Sequence, residues 1–206
     1  MFWNLTRPDE PIKQSSKRFS LDEKSFIKKE VAHLLKKGII RKGHSSWRSQ
    51  IEVTKNPLSW KLMVNFAQTV NKRFLDGVVE MKGIDKTLEE LKGYNFFARL
   101  NFQDWHQIIK LHPEDIEFTA FEADGGLFEF VHLPDGLPNT IATFERSMRS
   151  WIKLHNLPDV HVVRDQIIVG GYSLQHYDEN GRKLAAALRR EGISVGDKFL
   201  DKETRT

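Results

Sequence analysis

Two short apolar stretches, Val160 to Val163 and Ile167 to Val169, are separated only by Arg164, Asp165 and Gln166. A spacer that short reads as the tight turn of a β-hairpin with an acidic tip at Asp165. Phe96 to Phe102 is a strongly apolar strand. Thr119 to Glu122 and Leu127 to Val131 read as strands joined by Ala123-Asp124-Gly125-Gly126, a hairpin turn signal. Pro138-Asn139 opens a helix carrying Ile141, Phe144, Met148, Trp151 and Ile152, and Pro158 breaks the chain after it. A last helix is expected from Gln175 to Arg190, with Gly192 beyond it. The order strand, hairpin, helix, hairpin, helix predicts an α+β fold, an antiparallel sheet backed by helices. Periodicity gives only weak support for setting the strand ending at Asn101 beside the acidic tip.

The N-terminal part reads differently. Residues 1–19 are polar with two prolines and suggest an extended arm. Ser20-Leu21-Asp22-Glu23 is a capping box, in which two side chains satisfy each other's free backbone donors. Ile27, Val31, Leu34 and Leu35 follow at helical spacing, Gly38 ends the helix, and the lysine pairs 28/29 and 36/37 face outward. Gln50 to Thr54 and Trp60 to Phe66 read as strands around the turn Asn56-Pro57-Leu58-Ser59, giving a basic hairpin. A short helix is expected from Asp85 to Leu91.

Charge is unevenly placed. Residues 1–73 hold sixteen Lys/Arg against six Asp/Glu, whereas residues 74–206 hold sixteen against twenty-two. The basic third suggests either a polyanion partner or a solvated helix face. Without cysteine there is no disulfide and no thiolate metal site. No close His pair marks a zinc site, and no Walker loop or dinucleotide fingerprint is present. No apolar run approaches the ~20 residues of a membrane span, and residues 1–8 lack a signal-peptide core. An intracellular protein, cytoplasmic or nuclear and not secreted, is the expectation.

Several ordered segments resemble the reverse transcriptase of gypsy-class LTR retrotransposons. Ser46-Trp47, Val53-Thr54-Lys55 and Trp60-Lys61-Leu62-Met63-Val64-Asn65-Phe66 are similar to that family's fingers hairpin. Ile84-Asp85 and Tyr94-x-Phe96-Phe97-x-x-Leu100 match the approach to its first catalytic Asp. His106-Gln107-Ile108, Pro113-Glu114-Asp115-Ile116 and Thr119-Ala120-Phe121 resemble H-Q-I, E-D-I and T-A-F. Glu129-Phe130, Leu133-Pro134, Gly136-Leu137-x-Asn139 and Ala142-Thr143-Phe144 continue the series. Val162-Val163-Arg164-Asp165-Gln166-Ile167 stands where the family has V-Y-x-D-D-I. The resemblance runs from about residue 11 to 199.

It implies a fingers-and-palm fold without a complete thumb: arm 1–19, fingers part 20–75, palm with remaining fingers elements 76–199, and tail 200–206. It also implies that the chain is a piece of a longer polyprotein. The family's chemistry is in-line phosphoryl transfer by two Mg²⁺ about 3.5–4 Å apart. Dications that close need bridging carboxylates, and Mg²⁺ prefers such hard ligands. The family supplies three Asp residues. Here two of those positions are Asn101 and Gln166, leaving Asp165 as the remaining catalytic and metal carboxylate. Mg²⁺ binding is therefore expected to be weak or absent and the polymerase inactive. Asp104 is a poor substitute, because strand alternation turns it away from Asn101.

The nucleotide-binding positions implied by the resemblance are Lys55, Lys61, Phe102, Trp105, Gly136 and Lys198. Lys61 replaces an Arg, keeping the charge without the bidentate fork. Asp135 adds an anion where phosphates approach. An RNA or DNA template–primer is the ancestral partner, with dNTP binding doubtful. An active polymerase fragment and a non-enzymatic protein-interaction module stay open as alternatives.

Overall fold

The computed structural model describes residues 5–56, 59–74, 84–101, 109–138, 140–164, 166–192 and 203–204. The chain divides into two compact units: residues 1–78 with 109–140, and residues 79–108 with 141–206.

In the first unit, helix α1 (Leu21–Lys36) starts as its capping box requires: the Glu23 N–H donates to Ser20 Oγ (3.3 Å) and the Ser20 N–H to Glu23 Oε2 (2.8 Å). Gly38 ends the helix turn at φ +68°, a conformation that needs no Cβ. Its apolar stripe, Ile27 and Val31, packs into a core with Ile39, Ile40, Ile51, Phe121 and Phe128. Strand β1 (Ile40–Lys42) pairs with β6 (Gly126–Phe130), which pairs in turn with β5 (Phe121–Ala123). The β5–β6 turn uses left-handed Asp124 (φ 47°) and Gly125 (φ 73°), as its sequence predicts.

A separate ribbon joins β2 (Gln50–Asn56) and β3 (Ser59–Asn65) in seven register pairs. Pro113–Thr119 forms a 3-10 helix that takes in Thr119, read from sequence as the start of the next strand, and β5 begins only at Phe121. The arm follows the body through bridges Leu5↔Phe74 and Lys13↔Arg48.

In the second unit the sheet order is β7–β8–β4–β9, antiparallel at each paired junction. Its strands are β4 (Phe96–Asn101), β7 (Val160–Val163), β8 (Gln166–Gly171) and β9 (Glu203–Thr204). Gln166, read from sequence as part of the turn, is the first residue of β8. Val163 pairs directly with Gln166, and Arg164 is left-handed at φ 57°. Helices α2 (Ile84–Leu91), α3 (Thr140–Leu154) and α4 (Leu174–Arg190) complete the unit.

Helix α4 buries Tyr177, Leu184, Ala187 and Leu188 and packs on β8. Gly171 permits the close contact there, because a Cβ would clash with the backbone N of Tyr177, and a Cβ on Gly170 would clash with the ring of Tyr94. The Tyr94 hydroxyl donates to Asp159 Oδ1 (3.0 Å), tying the start of β4 to the loop before β7. The resulting α+β architecture, an antiparallel sheet with helices, is the one expected from sequence.

Candidate active site

The catalytic carboxylates of the resemblance map to the second unit, where β4 and β8 set the geometry. Their register pairs Phe96 with Gly171 at one end and Asn101 with Gln166 at the other. β7 and β8 meet at the same end, through Val163↔Gln166. The strand ending at Asn101 thus lies beside the hairpin tip. The buried residues Leu100, Ile167 and Val162 anchor these strand ends.

Asn101 and Gln166 supply neutral amides and no charge. That donor set does not fit a pair of magnesium ions, whose mutual repulsion calls for anionic bridging ligands. Among the described residues, no group of three His, Cys, Asp or Glu side chains is arranged to hold a metal. Asp165, Asp104, Phe102, Trp105 and Lys198 lie outside the described residues.

The remaining positions belong to the first unit. In the β2–β3 ribbon, Thr54 pairs with Lys61 and Lys55 with Trp60. Directly paired residues share a face and neighbours along a strand alternate. Lys55 and Lys61 therefore occupy opposite faces. Lys55 Nζ lies 3.3 Å from Glu23 Oε1 and 4.6 Å from the centre of the Trp60 ring. The Glu23 carboxyl is held below its usual range, first by the backbone N–H and hydroxyl of Ser20 and then by Lys55.

Lys61, largely exposed, meets Asp135 across 3.5 Å (Nζ to Oδ2). Gly136 follows at φ +86°, and its carbonyl accepts from Asn71 Nδ2 at 2.8 Å. A Cβ on Gly136 would stand 3.5 Å from the Val64 carbonyl of β3. The Pro134–Gly136 loop is thereby fixed against the ribbon, and its anion is set at the lysine. Both residues were visible in the sequence, but their pairing was not.

Of the two tryptophans beside these motifs, Trp47 is buried against Phe118 (ring centres 5.8 Å apart). Trp60 is 36% exposed and touches Phe26 edge-on at 5.5 Å. Trp47 is a core residue.

Glu129 on β6 is 4% exposed, yet it is well supplied with donors. Arg41 Nε donates to Oε2 at 2.9 Å, and the backbone N–H groups of His44 and Ser45 donate to Oε1 at 3.2 Å each. Residues 109–140 contain seven Asp/Glu and one Lys. This acidic segment belongs to the first unit and meets its basic residues through Arg41–Glu129, Arg48–Glu122 and Lys61–Asp135.

No protein-family model matches the sequence. The Pol polyprotein of the opus transposon of Drosophila melanogaster is 27% identical over 205 residues, covering 95% of this chain and 20% of that polyprotein. The Pol polyprotein of the gypsy transposon of the same fly is 28% identical over 172 residues, covering 80% of this chain and 16% of its own length. Both of these relatives are retrotransposon Pol polyproteins. This chain spans about a fifth or less of their length. The solved foamy viral protease–reverse transcriptase in complex with double-stranded DNA superposes with a TM-score of 0.71 at 19% identity, over 88% of this chain and 32% of that one. The fold is that of a reverse transcriptase.

Proposed function

We propose that this chain is a retrotransposon-derived reverse transcriptase domain that does not polymerise nucleotides but still binds nucleic acid. The observation carrying the first half is the cross-strand pair Asn101↔Gln166, two amides at the catalytic end of β4 and β8. In this reading Asp165 is the one carboxylate left. The local charge of three carboxylates falls to that of one, while the ions and triphosphate it has to offset are unchanged. Losing such a ligand removes several kcal/mol of transition-state charge stabilisation.

For the second half, Lys61 and Gly136 are the phosphate-facing positions of the first unit; Phe102, Trp105 and Lys198 are the nucleotide-binding positions that the resemblance assigns to residues of the second. Lys55 joins them only by leaving Glu23 and Trp60. The first unit is then the fingers and the second the palm. A foamy viral relative in fold has been solved with double-stranded DNA, which supports a nucleic-acid partner here.

Templated primer extension with Mg²⁺ or Mn²⁺ tests the proposal. We expect no extension above background, together with retention of the labelled primer–template at low salt. Templated synthesis by the purified chain would overturn the inactive reading, and absence of retention would overturn the binding reading.

A further inference from the structure

We propose that the lysine face of helix α1 is a sequence-independent binding surface for single-stranded nucleic acid, distinct from the β2–β3 ribbon. The inference rests on the nucleic-acid reading above and adds the surface that does the binding.

Lys24, Lys28, Lys29, Lys36 and Lys37 are all exposed on α1 or its C-cap. On a helix, Lys24 and Lys28 fall about 40° apart and Lys29 and Lys36 about 20° apart; the two pairs lie about 110° from each other with Lys37 roughly 90° further round, so the set covers the solvent side of the helix over roughly 18–20 Å of its axis. That length faces several consecutive phosphates of a strand.

A solvated helix places acids three or four residues from its lysines. Helix α4 does this, with Glu179 and Lys183 paired at 2.8 Å. Helix α1 does the opposite. None of its five lysines has an acid three or four positions away in either direction, although the helix contains Asp22, Glu23 and Glu30. Glu23 is engaged by Ser20 and Lys55 instead. Among the described residues none of the five has an acidic partner.

Lys24 and Lys28 are like charges at i,i+4, and Lys24 stands in the first turn, near the positive end of the helix dipole. Both placements disfavour an isolated helix. A bound polyanion makes them favourable. Elsewhere in this unit, Arg41, Arg48 and Lys61 already meet carboxylates of the acidic segment. Among the described residues of this unit, Lys13, Lys17, Arg18, Lys42, Lys72 and Lys110 also lack an acidic partner, but α1 gathers five such cations on one element.

An anionic membrane is the competing polyanion. Surface helices bind membranes by inserting an apolar face. In α1 that face, Ile27 and Val31, is buried in the core, and Leu21 is its one strongly exposed large apolar residue. Nucleic acid is the better match.

The test measures fluorescence anisotropy of a labelled oligo-dT, across about 50 to 200 mM salt. It compares the intact chain, K24Q/K28Q/K29Q/K36Q, the matching Lys→Arg variant and K61Q. Anionic phosphatidylserine vesicles are a parallel probe, and thermal melting confirms folding. Gln is a good helix former, so the helix is retained.

The Gln variant should bind at least about tenfold more weakly at low salt, with a log–log salt slope shallower by about 2, as expected for three lost contacts to a single strand. The Arg variant should bind like the parent. Binding by the Gln variant within about twofold of the parent, or lost only in K61Q, overturns the α1 surface and leaves the nucleic-acid reading standing. Vesicle binding without oligonucleotide binding, or no binding to either probe, overturns the α1 surface; the nucleic-acid reading stands or falls on primer–template retention.

Discussion

Asn101 and Gln166 are direct register partners across β4 and β8, so two amide residues stand side by side at the end of the sheet where the β7–β8 turn begins. Changing them together, N101D/Q166D, restores the charge pattern of the family. We expect little recovery of primer extension, because Val163, Lys61 and Asp135 remain as departures from the family's pattern. Activity rising by several orders of magnitude in the double variant would mean that the two amides alone silence the protein.

The Lys61–Asp135 pair is exposed, and exposed pairs contribute roughly 0.2–1 kcal/mol. Removing the anion with D135N should therefore tighten binding of inorganic tripolyphosphate by up to about fivefold. Calorimetric titration measures this, and K61Q/D135N should return to weak binding. Equal affinity for D135N and the parent would show that Asp135 does not compete with phosphate.

Glu129 organises the turn between β1 and β2. E129A strands two backbone N–H groups and the inner side of Arg41, a loss of about 1–3 kcal/mol in urea unfolding. G43A should be destabilised similarly, by about 1–3 kcal/mol, because its Cβ would fall on the Glu129 side chain. The two effects should not add in G43A/E129A, since the second change removes the obstacle met by the first.

His132 gives the first unit a pH dependence. Burial first, and then the charge of Lys110, hold its imidazole below the ordinary 6.5. The folded chain thus takes up this proton less readily than the unfolded chain. Above about pH 6.5 the residue contributes no slope. Below it, stability falls until the folded-state pKa is passed, where the loss levels off. Urea midpoints between pH 7.5 and 5 should drop less for H132Q than for the parent, and an equal drop would remove His132 as a cause.

Local patterns made much of this architecture legible. The capping box, Gly38 and Asp124-Gly125 are turn and cap chemistry, written in adjacent residues, and each appears where its sequence places it. The approach of Asn101 to the hairpin tip came from ordered motifs rather than from periodicity. Pairing between distant segments was less visible. β1 and β6 are separated by some ninety positions at Ile40↔Phe130, and no local pattern encodes that ladder.

The opposite facing of Lys55 and Lys61 was available in principle. It follows once the ribbon register is known, but that register depends on where the turn closes. The charge asymmetry also changed its meaning. Part of the basic excess is met by the acidic residues 109–140, which the chain order had assigned to the other half.

Counting bound Mn²⁺ on the purified chain by electron paramagnetic resonance, with primer–template and a non-hydrolysable nucleotide present, tests the central claim most directly. At most one weakly held ion per chain is expected. Two ions bound together, with the spin coupling of a close pair, would contradict it.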